Sequence, residues 1–360
     1  MKMSTELFGR LSARAIEIDP DFPVYAGNRW ISRESDDDAE LMSNARAVSL
    51  VLNMGRSAIQ ICYREQILYG FVGFDVENIS EGLTPVDTTP GLFAIGIIEG
   101  DIQPIATPSQ IRDIVEDQSH LIDGYSGHQL SQILPLFPPI IFYTSNSNYD
   151  FLKDIERAVG SVLVRNPRPL PLALASSTAQ HLIELFEAGP STVPFRLPLQ
   201  GIVSFNWQAL FLELYRAIEQ LYSVPKLRVL IEDLNYIHSV RELARLIETS
   251  LSWRPKEEEA LTNLLAGLEP SLCGQVVRAL KRTQDQEPKH TPENAARKIY
   301  GLRNDCVHFR PATEQVSFSA GQWNDIISIM TVCVKELYDI YGDVFQLPNP
   351  IKTQPLQAQL

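Results

Sequence analysis

The sequence predicts an α+β protein: an N-terminal mixed α/β domain followed by an all-α helical bundle. Three observations lead there. The chain has 360 residues, above the usual size of one domain. Short runs rich in Val, Ile, Leu, Tyr and Phe crowd the first half, and strand patterns stop at Asn206. Between the two regimes stand Pro167, Pro169, Pro171, Pro190, Pro194 and Pro198, a proline density that marks a boundary. We therefore place a first domain at 1–200, with a proline-rich boundary over 165–204. A helical domain follows at 205–345 and a tail at 346–360.

Taken in order, Ala47 to Leu52, Ala58 to Tyr63 and Ile67 to Phe74 read as successive strands of a meander, because short polar breaks separate β-favouring runs. Leu92 to Ile98 and Pro139 to Tyr143 read as further strands. Pro108 to Asp117 and Asn148 to Val159 carry helical patterns. Ser161 to Val164 reads as one more strand, which would make 139–164 a strand–helix–strand unit. A helix from Ser177 to Ala188 is stopped by Gly189-Pro190. Trp207 to Tyr222 places apolar residues at 207, 210, 211, 214, 217, 218 and 221, a helix with one buried face. Pro225 to Leu251 has room for one or two helices, and Lys256 to Leu265 and Ser271 to Arg282 for two more. Thr291-Pro292-Glu293 supplies a cap, a first-turn proline and an early acid. The helix it opens must stop before Pro311. Gln322 to Tyr341 is the last long helix.

The composition narrows the function classes. A hydrophobic content of 44% with 21% charged residues is that of a globular chain. No basic segment precedes an apolar core near Met1, and no apolar run reaches the roughly 20 residues of a spanning helix. We expect a cytoplasmic protein with no membrane contact. Cys62, Cys273, Cys306 and Cys333 form no Cys-x-x-Cys pair and lack histidines at zinc-finger spacing, so reduced and mostly buried thiols are expected. The Asp36-Asp37-Asp38 run lacks the glycine and spaced ligands of a calcium loop and reads as a solvated surface loop. Gly124-Tyr125-Ser126-Gly127-His128 ends in His where a nucleophile elbow needs Gly, so it reads as a turn. Neither a Gly-x4-Gly-Lys loop nor a Gly-x-Gly-x-x-Gly turn occurs, and no cofactor is implied. His120, His128, His181, His238 and His290 read as surface or structural residues.

A net charge of −13 argues against nonspecific nucleic-acid binding by the whole surface. The charge is uneven, however. Residues 278–310 hold eight basic side chains against four acids. Arg278, Lys281, Arg282, Arg297, Lys298 and Arg310 are therefore the candidate RNA contacts.

Inside that basic window lies Leu302-Arg303-Asn304-Asp305-Cys306-Val307-His308-Phe309. Arg303 is a permanent fork of donors suited to phosphate oxygens. His308 is the side chain best able to exchange a proton near neutral pH. Asn304 both donates and accepts, so it can orient either neighbour. No other Arg and His in the chain stand at this spacing. On a regular helix Asn304 and His308 share a face, while Arg303 and His308 lie about 140° apart. One such helix does not easily close both onto one phosphate. Either the helix end is distorted at His308 or two copies combine.

The segment resembles the signature of the HEPN superfamily: Arg, often a following Asn, four to six residues in all, then His, with apolar flanks. The resemblance covers roughly the last 150 residues. It implies an α-helical bundle, pairing of two motif helices as a homodimer or with a HEPN-like partner, and RNA as substrate. It further implies metal-independent cleavage by the 2′-hydroxyl, leaving a 2′,3′-cyclic phosphate and a 5′-hydroxyl. Carried over residue by residue, the catalytic set is Arg303, Asn304 and His308. Glu219, at the end of the first long helix, would be the acidic residue that this helix often carries. One toxin branch has Tyr two residues after the His; Arg310 stands there, so that branch does not fit. Two function classes follow. One is a ribonuclease used as a toxin or anti-phage effector, with residues 1–200 as sensor, inhibitor or partner-binding region. The other is a non-catalytic HEPN adaptor that assembles with a partner protein of a defence or toxin–antitoxin system.

Overall fold

A computed structural model of the chain describes residues 2–23, 29–33, 35–52, 55–74, 76–115, 126–168, 170–252, 255–281, 289–308 and 317–345. The chain is mixed α and β and divides into two compact units, Met1–Pro169 and Leu170–Leu360.

The first unit runs α1 (Lys2–Ile18), α2 (Asp36–Asn44), β1 (Arg46–Val51), β2 (Ser57–Tyr63), β3 (Gln66–Val72), β4 (Leu83–Val86), α3 (Pro90–Glu99), α4 (Pro108–Val115), α5 (Leu130–Ile133), β5 (Ile140–Ser145) and α6 (Ile155–Arg165). The strands form one antiparallel sheet in the order β1-β2-β3-β5-β4, and the predicted meander is its first half. Alternate side chains of β2 point to opposite faces. Ile59 and Ile61 join a core with Leu7, Leu11, Phe93, Ile97 and Phe142. Gln60 faces the other way, where its amide donates to Tyr69 Oη at 2.7 Å and Tyr69 donates to the Leu152 carbonyl at 2.8 Å, just before α6. Both faces of the sheet are thus covered, which is why its central strands read as continuous apolar runs.

Three expectations for this unit are corrected. Leu92 to Ile98 is not a strand but the body of α3. Thr89 caps it by accepting from Leu92 N–H, and Pro90 opens it. The helix is buried on nearly every side, so it carries no polar stripe to betray its period. Ser161 to Val164 is likewise not a strand: it is the last part of α6, whose Asp154 cap accepts from the Glu156 and Arg157 N–H groups. The unit is therefore α+β, without the strand–helix–strand repeat. The Asp36-Asp37-Asp38 run is the first turn of α2 rather than a surface loop, and Asp38 is buried, accepting from Gly91 N–H at 2.8 Å. Residues 124 and 125 lie outside the described set, but His128 is buried and bridges to Ile31.

Every described element of the second unit is helical: α7 (Ser176–Ala188), α8 (Arg196–Ile202), α9 (Trp207–Glu219), α10 (Val224–Leu234), α11 (Val240–Leu251), α12 (Glu257–Leu265), α13 (Pro270–Ala279), α14 (Pro292–Val307) and α15 (Ala320–Tyr341), closed by a short 3₁₀ turn at Gly342–Phe345. The unit begins at Leu170, so α7 and α8 belong to it rather than to a 1–200 domain. The tie is chemical: Asn324 of α15 accepts from Ala175 N–H at 2.7 Å and donates to the Ala173 carbonyl at 3.1 Å. Its central helix is α15, with Trp323, Ile326, Ile327, Met330, Cys333, Val334 and Leu337 all buried. Asn235, in the left-handed region at φ 49°, ends α10, and Ser239 caps α11, so 225–251 is two helices. Cys273 and Cys333 are buried as expected, whereas Cys62 is exposed. Among the described residues, no helix is long and apolar enough to cross a membrane.

Candidate active site

The motif lies on α14, and the local sequence explains the helix. Thr291 caps it through Asn294 N–H, and Pro292 occupies the first turn. Ala295, Ala296, Ile299 and Leu302 form the buried stripe that seats it in the unit. The helix packs against α9, α12 and α13.

Arg303 lies one position past that stripe. Its side chain is 22% exposed, and its Nη2 stands 3.8 Å from Glu257 Oε2. Its guanidinium carbon lies 5.9 Å from the centre of the Tyr215 ring. Nη1 donates to Asn304 Oδ1 at 3.0 Å, which is the one hydrogen bond the guanidinium makes to the described residues. Among the described residues, most of its five N–H donors make no hydrogen bond.

Glu257 is the first residue of α12, where a carboxylate also suits the helix dipole. It accepts from Tyr215 Oη at 3.4 Å, and Tyr215 Oη in turn accepts from Tyr222 Oη at 2.6 Å. Both tyrosines are buried, and burial is the main reason that both phenols titrate above the ordinary range. The nearby carboxylates of Glu257 and Glu219 push both in the same direction. The hydroxyls thus stay protonated and form a one-way chain of donors, Tyr222 to Tyr215 to Glu257.

The chain leaves the helix at His308. The residue is exposed, and its backbone adopts φ −111°, ψ 109°, although its N–H still bonds to the Asn304 carbonyl at 2.8 Å. The helix thus ends at His308, whose backbone is extended rather than helical. Asn304 touches both partners, through its side chain to Arg303 and through its carbonyl to the His308 backbone. Beside it, burial and the Asp305 carboxylate push the Cys306 thiol up to about 11, which leaves it protonated and a poor nucleophile at neutral pH.

The remaining candidates separate into four groups. Glu219 is the exposed last residue of α9, and its charge is felt by Tyr215 and Tyr222; the acid brought to Arg303 itself is Glu257. Arg297 is paired with Glu258 at 3.7 Å, and Lys298 donates to the Leu280 carbonyl at 3.5 Å. Arg278 and Lys281 are exposed. Arg278 shares the space over Gly274 with His290: a Cβ there would stand 3.4 Å from His290 Nδ1 and 3.5 Å from Arg278 Nη1. Arg282, Arg310 and Phe309 lie outside the described residues.

Sequence reading missed Tyr215, Tyr222 and Glu257. Tyr215 and Tyr222 are seven apart, two helical turns, a spacing that places both on one face; that was the available signal. Nothing local distinguishes Glu257 from Glu258 and Glu259. Among the described residues no three His, Cys, Asp or Glu side chains gather as a metal site would require. No protein-family model, curated protein or solved structure matches the chain.

Proposed function

We propose that the second unit is a HEPN-type, metal-independent endoribonuclease of the toxin or anti-phage effector kind, working in the cytoplasm. The observation that carries the reading is a half-buried Arg303 that makes one hydrogen bond among the described residues, five positions before an exposed His308. In this reaction His308 takes the proton of the RNA 2′-hydroxyl, and the 2′-oxygen attacks the adjacent phosphorus. Arg303 stabilises the charge gathering on the phosphoryl oxygens. A second histidine protonates the leaving 5′-oxygen, giving a 2′,3′-cyclic phosphate and a 5′-hydroxyl. That histidine comes from a second copy, or from a HEPN-like partner, paired along α14. Gly301 supports such pairing: among the described residues nothing lies within 4 Å of where its Cβ would stand, so another backbone could approach closely there. Arg278 and Lys281, exposed cations of the same basic window, would extend the RNA contact. The first unit, acidic overall, would act as sensor, inhibitor or partner-binding region.

A second reading rests on the Arg303–Glu257 pair. A guanidinium already matched by a carboxylate also suits a structural role, as in a non-catalytic HEPN adaptor. The two readings separate in one experiment. Purified chain is incubated with single-stranded RNA in EDTA, and the fragment ends are identified. The nuclease reading requires cyclic phosphate ends, no cutting of DNA, and a loss of about 10²–10⁴-fold in His308→Ala. Wild-type rates in His308→Ala would overturn the His308 assignment, and a chain that cuts no RNA would leave the adaptor.

A further inference from the structure

The nuclease reading uses Arg303 and His308 but gives no role to the buried hydroxyls behind them. We propose that Glu257 is a positioning residue for Arg303, itself aimed by the Tyr222–Tyr215 hydroxyl chain. This rests on the nuclease reading and adds three residues to it.

An arginine side chain has four rotatable bonds before its guanidinium, and ordering it costs conformational entropy. A guanidinium that must meet a phosphate in one orientation gains from being held before the substrate arrives. Arg303 is held on three sides. The Tyr215 ring lies at 5.9 Å, Asn304 Oδ1 takes one N–H at 3.0 Å, and Glu257 Oε2 stands 3.8 Å from Nη2. That last distance is too long for a hydrogen bond and short enough for an electrostatic tether. Glu257 therefore steers the guanidinium without consuming its donors.

What holds Glu257 is not on its own helix. Tyr215 donates to it from α9, and Tyr222, just beyond the end of α9, donates to Tyr215. Both phenols are buried, and a buried hydroxyl without an acceptor is costly, so the chain has one satisfied arrangement. The carboxylate is the terminal acceptor of that chain and the anionic side of the Arg303 pair. Glu258 and Glu259 of the same turn face Arg297 and Lys226 instead, which makes them internal controls.

A negative charge beside a phosphate-binding arginine has a recognisable signature. It opposes the phosphate in the ground state and improves aim in the transition state. Glu257→Gln keeps the shape and removes the charge. We expect kcat to fall roughly 10- to 100-fold while KM stays constant or drops, because aim is lost and repulsion is relieved. Tyr222→Phe should move kcat in the same direction by a smaller factor, and Glu257→Asp should recover part of the loss. Glu259→Gln should match wild type. In parallel, binding of an uncleavable 2′-O-methyl RNA is read by fluorescence anisotropy: Arg303→Ala should weaken it, and Glu257→Gln should leave it equal or tighter. If Arg303→Ala is inactive but Glu257→Gln keeps wild-type kcat and KM, Glu257 is a helix-end acid only and the positioning role is overturned while the nuclease reading stands. A rise in KM with unchanged kcat would also overturn it. If wild-type chain neither cleaves RNA nor binds the uncleavable analogue, the nuclease reading has failed and takes the positioning role with it.

Discussion

At the scale of single residues, chemistry follows from which neighbours a side chain reaches. Asp36, Asp37 and Asp38 are equivalent in sequence, yet only Asp38 is buried with its carboxylate on Gly91 N–H. Asp38→Ala leaves that donor without its acceptor and should destabilise the first unit by about 1–3 kcal/mol. Asp37 faces solvent and pairs with Arg64, an exposed ion pair of little worth, so Asp37→Ala should change stability by less than about 0.5 kcal/mol. Urea titrations of the two variants check the contrast; equal effects would mean that the Asp38 contact contributes nothing. The same logic separates Glu257 from Glu258 and Glu259 in the second unit. Arg303, Asn304 and His308 were legible as a candidate set because their types suit a phosphodiester and their spacing resembles a known signature. The partner carboxylate was not legible, since its choice depends on how α12 lies against α14.

At the scale of elements, caps and breakers were readable and buried helices were not. Thr291-Pro292 announced α14, and Gly189-Pro190 announced the end of α7. Thr89-Pro90 carried the same kind of start signal for α3, but an apolar run of that length also fits a strand, and the helix has no wet face to decide between them. Within α14, Gly301 is a helix-interior glycine, and none of the described residues comes within 4 Å of where its Cβ would stand. Gly301→Ala should therefore stabilise an isolated copy by about 0.5–1 kcal/mol through helix propensity alone. Gly301→Trp should fill the open face and block pairing along α14. Thermal melts with light scattering test both: a dimer that survives Gly301→Trp intact would place the pairing surface elsewhere.

At the scale of the whole molecule, four buried phenols set the alkaline limit. Tyr69 in the first unit and Tyr215, Tyr222 and Tyr338 in the second all titrate above the ordinary 10.0, with burial as the leading cause. An acid whose folded pKa is raised adds stability that is whole below the unfolded value and is lost as pH climbs beyond it. Stability should therefore hold through neutral pH and fall from about pH 10 upward. Tyrosinate absorbance from these residues should appear together with loss of helical circular dichroism; ionisation well before unfolding would contradict their burial. Tyr222→Phe should make the fall in the second unit shallower. Net charge acts at the same scale: the basic residues around α14 would make RNA binding steeply salt-dependent despite the −13 of the chain.

The sequence by itself determined the two regimes of the chain, the meander, most helices of the second unit and the residue types of the Arg303-Asn304-His308 motif. These depend on periodicity, capping and side-chain chemistry, which are local properties. Tertiary structure alone decided the rest. It turned Leu92–Ile98 into a helix, moved α7 to the second unit through Asn324, buried Asp38, and brought Glu257 and Tyr215 to Arg303. The Asn324, Asp38 and Glu257 outcomes are contacts between residues far apart in the chain, and no local pattern encodes which distant partner a buried polar group will find.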